Sequence, residues 1–277
     1  MKIPSIRQRD DLSGSAGADR LSIEFVALVV LLLLPAVGHG QEKGVNPRMD
    51  LVRKLDALRL PGGSFTASVT IRRTAGKGGQ AEVSRYTQQS RRREEANGRV
   101  VFDTLVRCIE PPKDAGKALL FVGDACWFHA PHARNASRLS SGQIAAQALV
   151  ADLMNWRFAE DFDHTLAGVE RIEVGGGTHA CTVLDFTPKP GVKNRSALVR
   201  CWLDDEGRPW KAEHYTASKR LFRTVLFVKY AGFVDAVRPV GLVVMSTGIA
   251  EEVMLSDARE ARPPEELFDP KRWVDGG

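Results

Sequence analysis

From Asp163 onward the chain alternates β-prone runs with turn signals almost to its end, with no helical pattern between them. The runs are Leu166–Val174, Ala180–Thr187, Leu198–Leu203, Trp210–Thr216, Leu221–Tyr230, Val240–Thr247 and Glu251–Leu255. Gly175-Gly176-Gly177, Pro188–Asn194, Asp204–Arg208 and Ala217–Lys219 stand between them, and such residues favour tight reversals. Strands at this steady spacing make an antiparallel meander.

The first half adds further strands. SFTASVTIRR puts Phe65, Ala67, Val69 and Ile71 on one face and Thr66, Ser68, Thr70 and Arg72 on the other. Val83–Arg91, Arg99–Ile109, Ala118–Val122 and Cys126–His129 follow. Helical spacing occurs in Asn46–Leu60, through Met49, Val52, Leu55 and Leu58, and in Gln143–Arg157, through Ile144, Ala148, Leu149, Leu153 and Trp156. Two helices cannot cover both faces of such a sheet. The expected fold is mainly β: an antiparallel, unclosed half-barrel with one face in water, a helical lid on the other and an apolar cavity between.

Residues 21–40, LSIEFVALVVLLLLPAVGHG, bear on location. The apolar core Phe25–Val37, interrupted by Pro35, is shorter than the about 20 residues of a bilayer span. It suits a secretory signal over residues 1–40, with Gly38-His39-Gly40 placing the cut before Gln41 and one domain over residues 41–277. An uncleaved anchor is the alternative. No Cys directly follows the apolar core, so a lipoprotein cleavage box is missing. Asp10, Asp11, Asp19 and Glu24 are poor chemistry before such a core and leave a start downstream of Met1 open.

The formal net charge is +5, with one dense basic run at Arg91-Arg92-Arg93. Without a recognised module this reads as a solvated basic face and not as a nucleic-acid site. The four cysteines permit disulfides in an exported chain. Cys181 and Cys201 lie almost symmetrically about Pro190-Gly191, so strands folding back there would bring them opposite each other. Cys108 and Cys126 fit less well because a strand separates them, and buried thiols are an equal reading for that pair.

Chemistry is hard to find. His129 and His132 lack a third metal ligand nearby and read as a surface loop; Glu160, Asp161 and Asp163 read as a solvated or helix-flanking cluster without a nucleophile or a paired His. Gly175–Gly177 is a turn and not a phosphate loop. No metal, cofactor or catalytic residue is expected.

The segment Val106–Arg138 carries an ordered set of features: Glu110-Pro111-Pro112, Gly116-Lys117, Val122-Gly123-Asp124, Trp127-Phe128, Pro131, then Arg134 to Arg138 before a Ser-rich helix start. CTVLDFTPKPG (Cys181–Gly191), VRCWLDDEGRPWKAEHY (Val199–Tyr215) and PPEELFDP (Pro263–Pro270) follow in matching places. This order resembles the outer-membrane lipoprotein-sorting family, LolA-like and LolB-like carriers. Gln143–Trp156 departs from the family's Gly- and Phe-rich pattern at the lid.

The resemblance implies a soluble periplasmic carrier that holds lipid or lipoprotein acyl chains and touches membranes transiently, with an inner-membrane transporter as a possible donor. The candidate lining is Leu55, Phe65, Val69, Ile71, Leu149, Leu153, Leu226 and Val228, with ordinary core packing as the alternative role for each. An envelope sensor or adaptor that binds a partner protein is the competing reading. A hydrolase using Asp161 or His129 ranks last.

Overall fold

The computed structural model describes residues 47–75, 80–123, 125–139, 156–192, 196–246 and 248–272. The apolar segment Phe25–Val37, the junction before Gln41, and Leu149 and Leu153 lie outside these residues.

Among the described residues helix α1, Pro47–Arg59, comes first. It is followed by β1 (Phe65–Ala75), β2 (Glu82–Glu94), β3 (Val100–Glu110), β4 (Ala118–Val122), β5 (Ala125–His129) and β6 (Ser137–Arg138). A four-residue helix, α2 (Phe158–Asp161), then leads into β7 (Phe162–Val174), β8 (Gly177–Pro188), β9 (Leu198–Leu203), β10 (Pro209–Tyr215), β11 (Leu221–Phe233), β12 (Ala236–Ser246) and β13 (Ile249–Glu260).

Among the described residues all strands form one 13-stranded sheet in the order β6-β5-β4-β3-β2-β1-β13-β12-β11-β10-β9-β8-β7. Each half is a meander, and the halves join where β1 pairs antiparallel with β13, Val69 opposite Leu255. The sheet is unclosed, with β6 and β7 at its edges. The β6 edge is only two residues long, and β7 is interrupted by a bulge at Ala167, between Leu166 and Gly168; both features discourage strand addition.

Alternation gives the sheet two faces. The concave one carries Leu184, Phe186, Val199, Cys201, Leu203, Val225, Phe227, Leu242, Val244, Val253 and Val69 in a single cluster with Val52 and Leu55 of α1. A second cluster, Leu60, Phe65, Ala67, Phe102, Phe233 and Val240, lies where α1 ends. Burying Val52 and Leu55 stabilises the seat of α1 by roughly 2 kcal/mol each.

The helix is also held at its end. Arg238 Nη1 donates to the carbonyls of Ala57 and Leu58 at 2.7 and 2.8 Å, placing a cation on the C-terminal carbonyls. Asp235 fixes that guanidinium at 2.7 Å and accepts from the backbone N–H of Gly62 at 2.8 Å.

The opposite face is covered in part by the C-terminal turn Glu265–Phe268. Phe268 packs with Leu105, Ala118 and Leu120. Arg91 lies 4.8 Å from the Phe268 ring centroid and donates to Asp103 at 2.7 Å and to Glu265 at 2.9 Å. Arg93 also reaches the fully buried Asp103. The basic run is therefore not merely a solvated face, because Arg91 and Arg93 neutralise a buried carboxylate under the C-terminal strap.

The β9–β10 turn touches α1 directly. Gly207 has φ 77°, and a Cβ there would lie 2.6 Å from Lys54 Cβ and 3.1 Å from Leu55 N. Gly191 has a similar φ of 88° with nothing within 4 Å. Gly191→Ala should therefore cost about 1 kcal/mol of backbone strain. Gly207→Ala should cost at least about 2 kcal/mol more, because it also pushes α1 off its seat. Urea unfolding of the two variants measures the difference, and equal losses would show that the turn does not bear on the helix.

Candidate functional site

The concave face is the candidate site, and strand parity decides which residues reach it. Phe65 and Val69 are buried on it, Ile71 packs against its rim, and Leu55 projects onto it from α1. Leu226 is a correction: its neighbours Val225 and Phe227 are the inward residues, and Leu226 alternates to the other face. Val228 falls at a bulge between Phe227 and Lys229 and is only partly buried.

The expected disulfide is also corrected. Cys201 pairs with Leu184 across β8–β9, three positions from Cys181. That odd offset puts the two sulfurs on opposite faces, Cys201 in the concave cluster and Cys181 with Val183 and Trp202 behind it. Both are free thiols, as are Cys108 and Cys126, which have β4 between their strands. Burial pushes the Cys181 thiol up to about 11 and those of Cys126 and Cys201 up to about 12, so these three stay protonated and unreactive near neutrality.

The margin of the site is polar. Asp56 on α1 accepts from the backbone N–H groups of Phe158 and Ala159, each at 2.9 Å. Arg59 donates to the Trp156 carbonyl at 3.2 Å. Arg99, in the β2–β3 turn, grips both oxygens of Asp161 at 2.6 and 2.8 Å, and Arg157 donates to the Val100 carbonyl.

These contacts tie the start of the edge strand β7 to α1 and to β3, which lies deep in the other half of the sheet. Beside them a groove of about 420 Å³ is lined by Met49, Arg53, Asp56, Arg157, Ala159 and Glu160. Burial raises the Asp56 carboxyl against the opposing pull of its backbone donors and Arg59. Burial works the same way on Asp161, but Arg99 and the Arg157 N–H outweigh it and hold that carboxyl below its usual range.

Asp161 is thus a buried structural anion at the end of α2, the helix-flanking reading rather than the solvated one. His129 ends β5 with its ring nitrogen 3.2 Å from the Ala133 carbonyl. Among the described residues there is no group of three or more His, Cys, Asp or Glu that could hold a metal ion.

The structure also reveals a pair that the sequence pattern does not announce. Ser196 Oγ lies 2.9 Å from His214 Nδ1, and the two residues are 2% and 5% exposed. The alternation of Ala212 and His214 on β10 is the one available signal for an inward His. Burial, with Arg223 and Arg59 nearby, pushes His214 down to about 3, so it stays neutral and is a weak base. Its ring packs 5.9 Å from Trp156, within an aromatic group in which Phe158 lies 5.0 Å from Phe162 and 4.6 Å from Phe186. The pair satisfies itself within the core under the α2 segment.

A pH dependence follows. With His214 near 3 when folded against 6.5 when free, the unfolded chain takes up the proton first. The stabilisation is complete above pH 6.5 and is lost as pH falls toward 3, by about 1.4 kcal/mol per pH unit. Denaturant unfolding from pH 7 to pH 4 should show this slope in excess over the His214→Gln variant; parallel curves would contradict it.

Comparison with known proteins places this geometry. A family model described as an uncharacterized protein matches residues 102–252, more than half of the chain. No curated protein matches. A LolA superfamily protein from Nitrosomonas europaea is 25% identical, with a TM-score of 0.62 over 79% of this chain and 96% of that one. A DUF1329 family protein from Desulfovibrio piger is 18% identical, with a TM-score of 0.68 over 80% and 95%. A protein described as an outer membrane lipoprotein-sorting domain, from Vibrio parahaemolyticus, is 20% identical, with a TM-score of 0.65 over 80% and 96%. The chain belongs to the family of the matching model, and its unclosed sheet is that of the LolA-like, outer-membrane lipoprotein-sorting fold.

Proposed function

We propose that this protein is an envelope carrier that holds the acyl chains of a lipid or lipoprotein against its concave face and moves them toward the outer membrane. The observation that carries this reading is a largely apolar concave face, built from two buried clusters on an unclosed sheet and covered by a helix whose margin is fixed by ion pairs and hydrogen bonds. An acyl chain gains about 0.8 kcal/mol per buried CH₂ on such a surface. It must also leave again, and polar contacts at the rim can be exchanged for water where an apolar seal cannot.

As the structure stands, Leu55, Phe65 and Val69 are packed within these clusters, so a ligand enters by displacing part of the cover. Likeness to a LolA superfamily protein supports the same reading. In it the segment before Gln41 is an export signal, residues 41–277 work in the periplasm as one body, and an inner-membrane transporter hands over the cargo. No chemical step is assigned to the protein, and it needs no cofactor or nucleic acid.

Mass spectrometry of organic extracts from natively purified protein should find acyl lipid in stoichiometric amount. A fluorescent fatty acid should bind the emptied protein and be displaced by the extracted lipid. A protein that carries no lipid and binds no probe would contradict the carrier reading. A stable crosslinked protein partner on such an empty protein would establish the adaptor alternative.

A further inference from the structure

One row of the concave face is polar. Gln88 and Ser90 on β2 and Thr104 on β3 are 1%, 0% and 1% exposed. Gln88 Nε2 donates to Ser90 Oγ at 3.1 Å, and Ser90 Oγ lies 3.1 Å from Thr104 Oγ1. Their cross-strand neighbours fix the direction: Ser90 stands between Phe65 and Thr104, and Gln88 between Ala67 and Val106. Phe65 and Ala67 belong to the concave apolar cluster.

The amide of Gln88 is half satisfied. Its Oε1 is buried and has no hydrogen-bond partner among the described residues. Turning the amide over does not help, because Ser90 would then donate to Oε1 and leave Nε2 alone. Either way one polar atom of this side chain is kept from water without a partner, a costly and uncommon arrangement in a folded protein. Met at this position would fill similar space without that cost.

We propose that Gln88, braced by Ser90 and Thr104, recognises a hydroxyl group on an aliphatic ligand, so that the preferred cargo is a hydroxylated acyl chain. The inference rests on the carrier reading. A hydroxyl both donates and accepts, so it completes the Gln88 amide in either orientation. A carboxylate would need a cation beside it, and the cross-strand neighbours of Gln88 are Ala67 and Val106.

The test is competition against a fluorescent fatty-acid probe by myristate, 3-hydroxymyristate, stearate and 12-hydroxystearate. At one hydroxyl position the wild-type protein should bind the hydroxylated chain about five- to tenfold more tightly than its parent. Gln88→Met should abolish that ratio, leave affinity for the plain chain within about twofold, and melt no lower than wild type. Thr104→Val, at the far end of the row, should reduce the ratio without abolishing plain-chain binding. Equal binding of both members of each pair, or a ratio that survives in Gln88→Met, overturns this inference alone. Binding of none of the four chains overturns it together with the carrier reading.

Discussion

Val52 and Leu55 are buried against the concave face of a sheet with two free edges, and the rest of the structure depends on keeping that face dry. A closed barrel hides its interior by itself; an open one needs a cover. Here α1 provides cover, with Arg238 and Asp235 on its last turn and the Gly207 turn against its flank. Phe158 of α2 and Phe162 at the start of β7 join the same cluster. Hydrophobic burial supplies the energy and the charged margin sets the position of the cover.

How much of this is legible in the sequence depends on how clearly each strand shows its phase. In SFTASVTIRR apolar and polar residues alternate, and that alternation alone puts Phe65, Val69 and Ile71 on the inner face. Val225-Leu226-Phe227-Val228 is apolar throughout, so the pattern carries no phase, and a bulge at Val228 shifts it again. The cysteines meet the same problem: symmetry about a turn fixes proximity, but an odd register offset moves Cys181 to the far face. The β1–β13 pairing joins the two halves of the strand order and has no local signature at all. The Arg99–Asp161 and Ser196–His214 contacts are likewise tertiary, made by residues that alone look like surface charge or a stray histidine.

What is legible nonetheless determines the functional reading. A meander of this length with few helical runs leaves an apolar face that needs a cover, and α1 lies over that face with Val52 and Leu55 in its cluster. The side chains that first suggest chemistry are accounted for structurally. Asp161 is locked by Arg99, His214 is kept neutral by burial, and Cys126, Cys181 and Cys201 are held protonated by burial. The polar row at Gln88 is the exception, because its hydrogen bonds are incomplete.

The most direct measurement is paramagnetic broadening of methyl resonances by a nitroxide-labelled stearic acid. Binding on the concave face predicts stronger broadening of Val69, Val225, Leu242, Val244 and Val253 than of Val183, Leu105 and Leu120 on the other face. Stronger broadening of the second set, or none in either, would contradict a concave acyl-binding site.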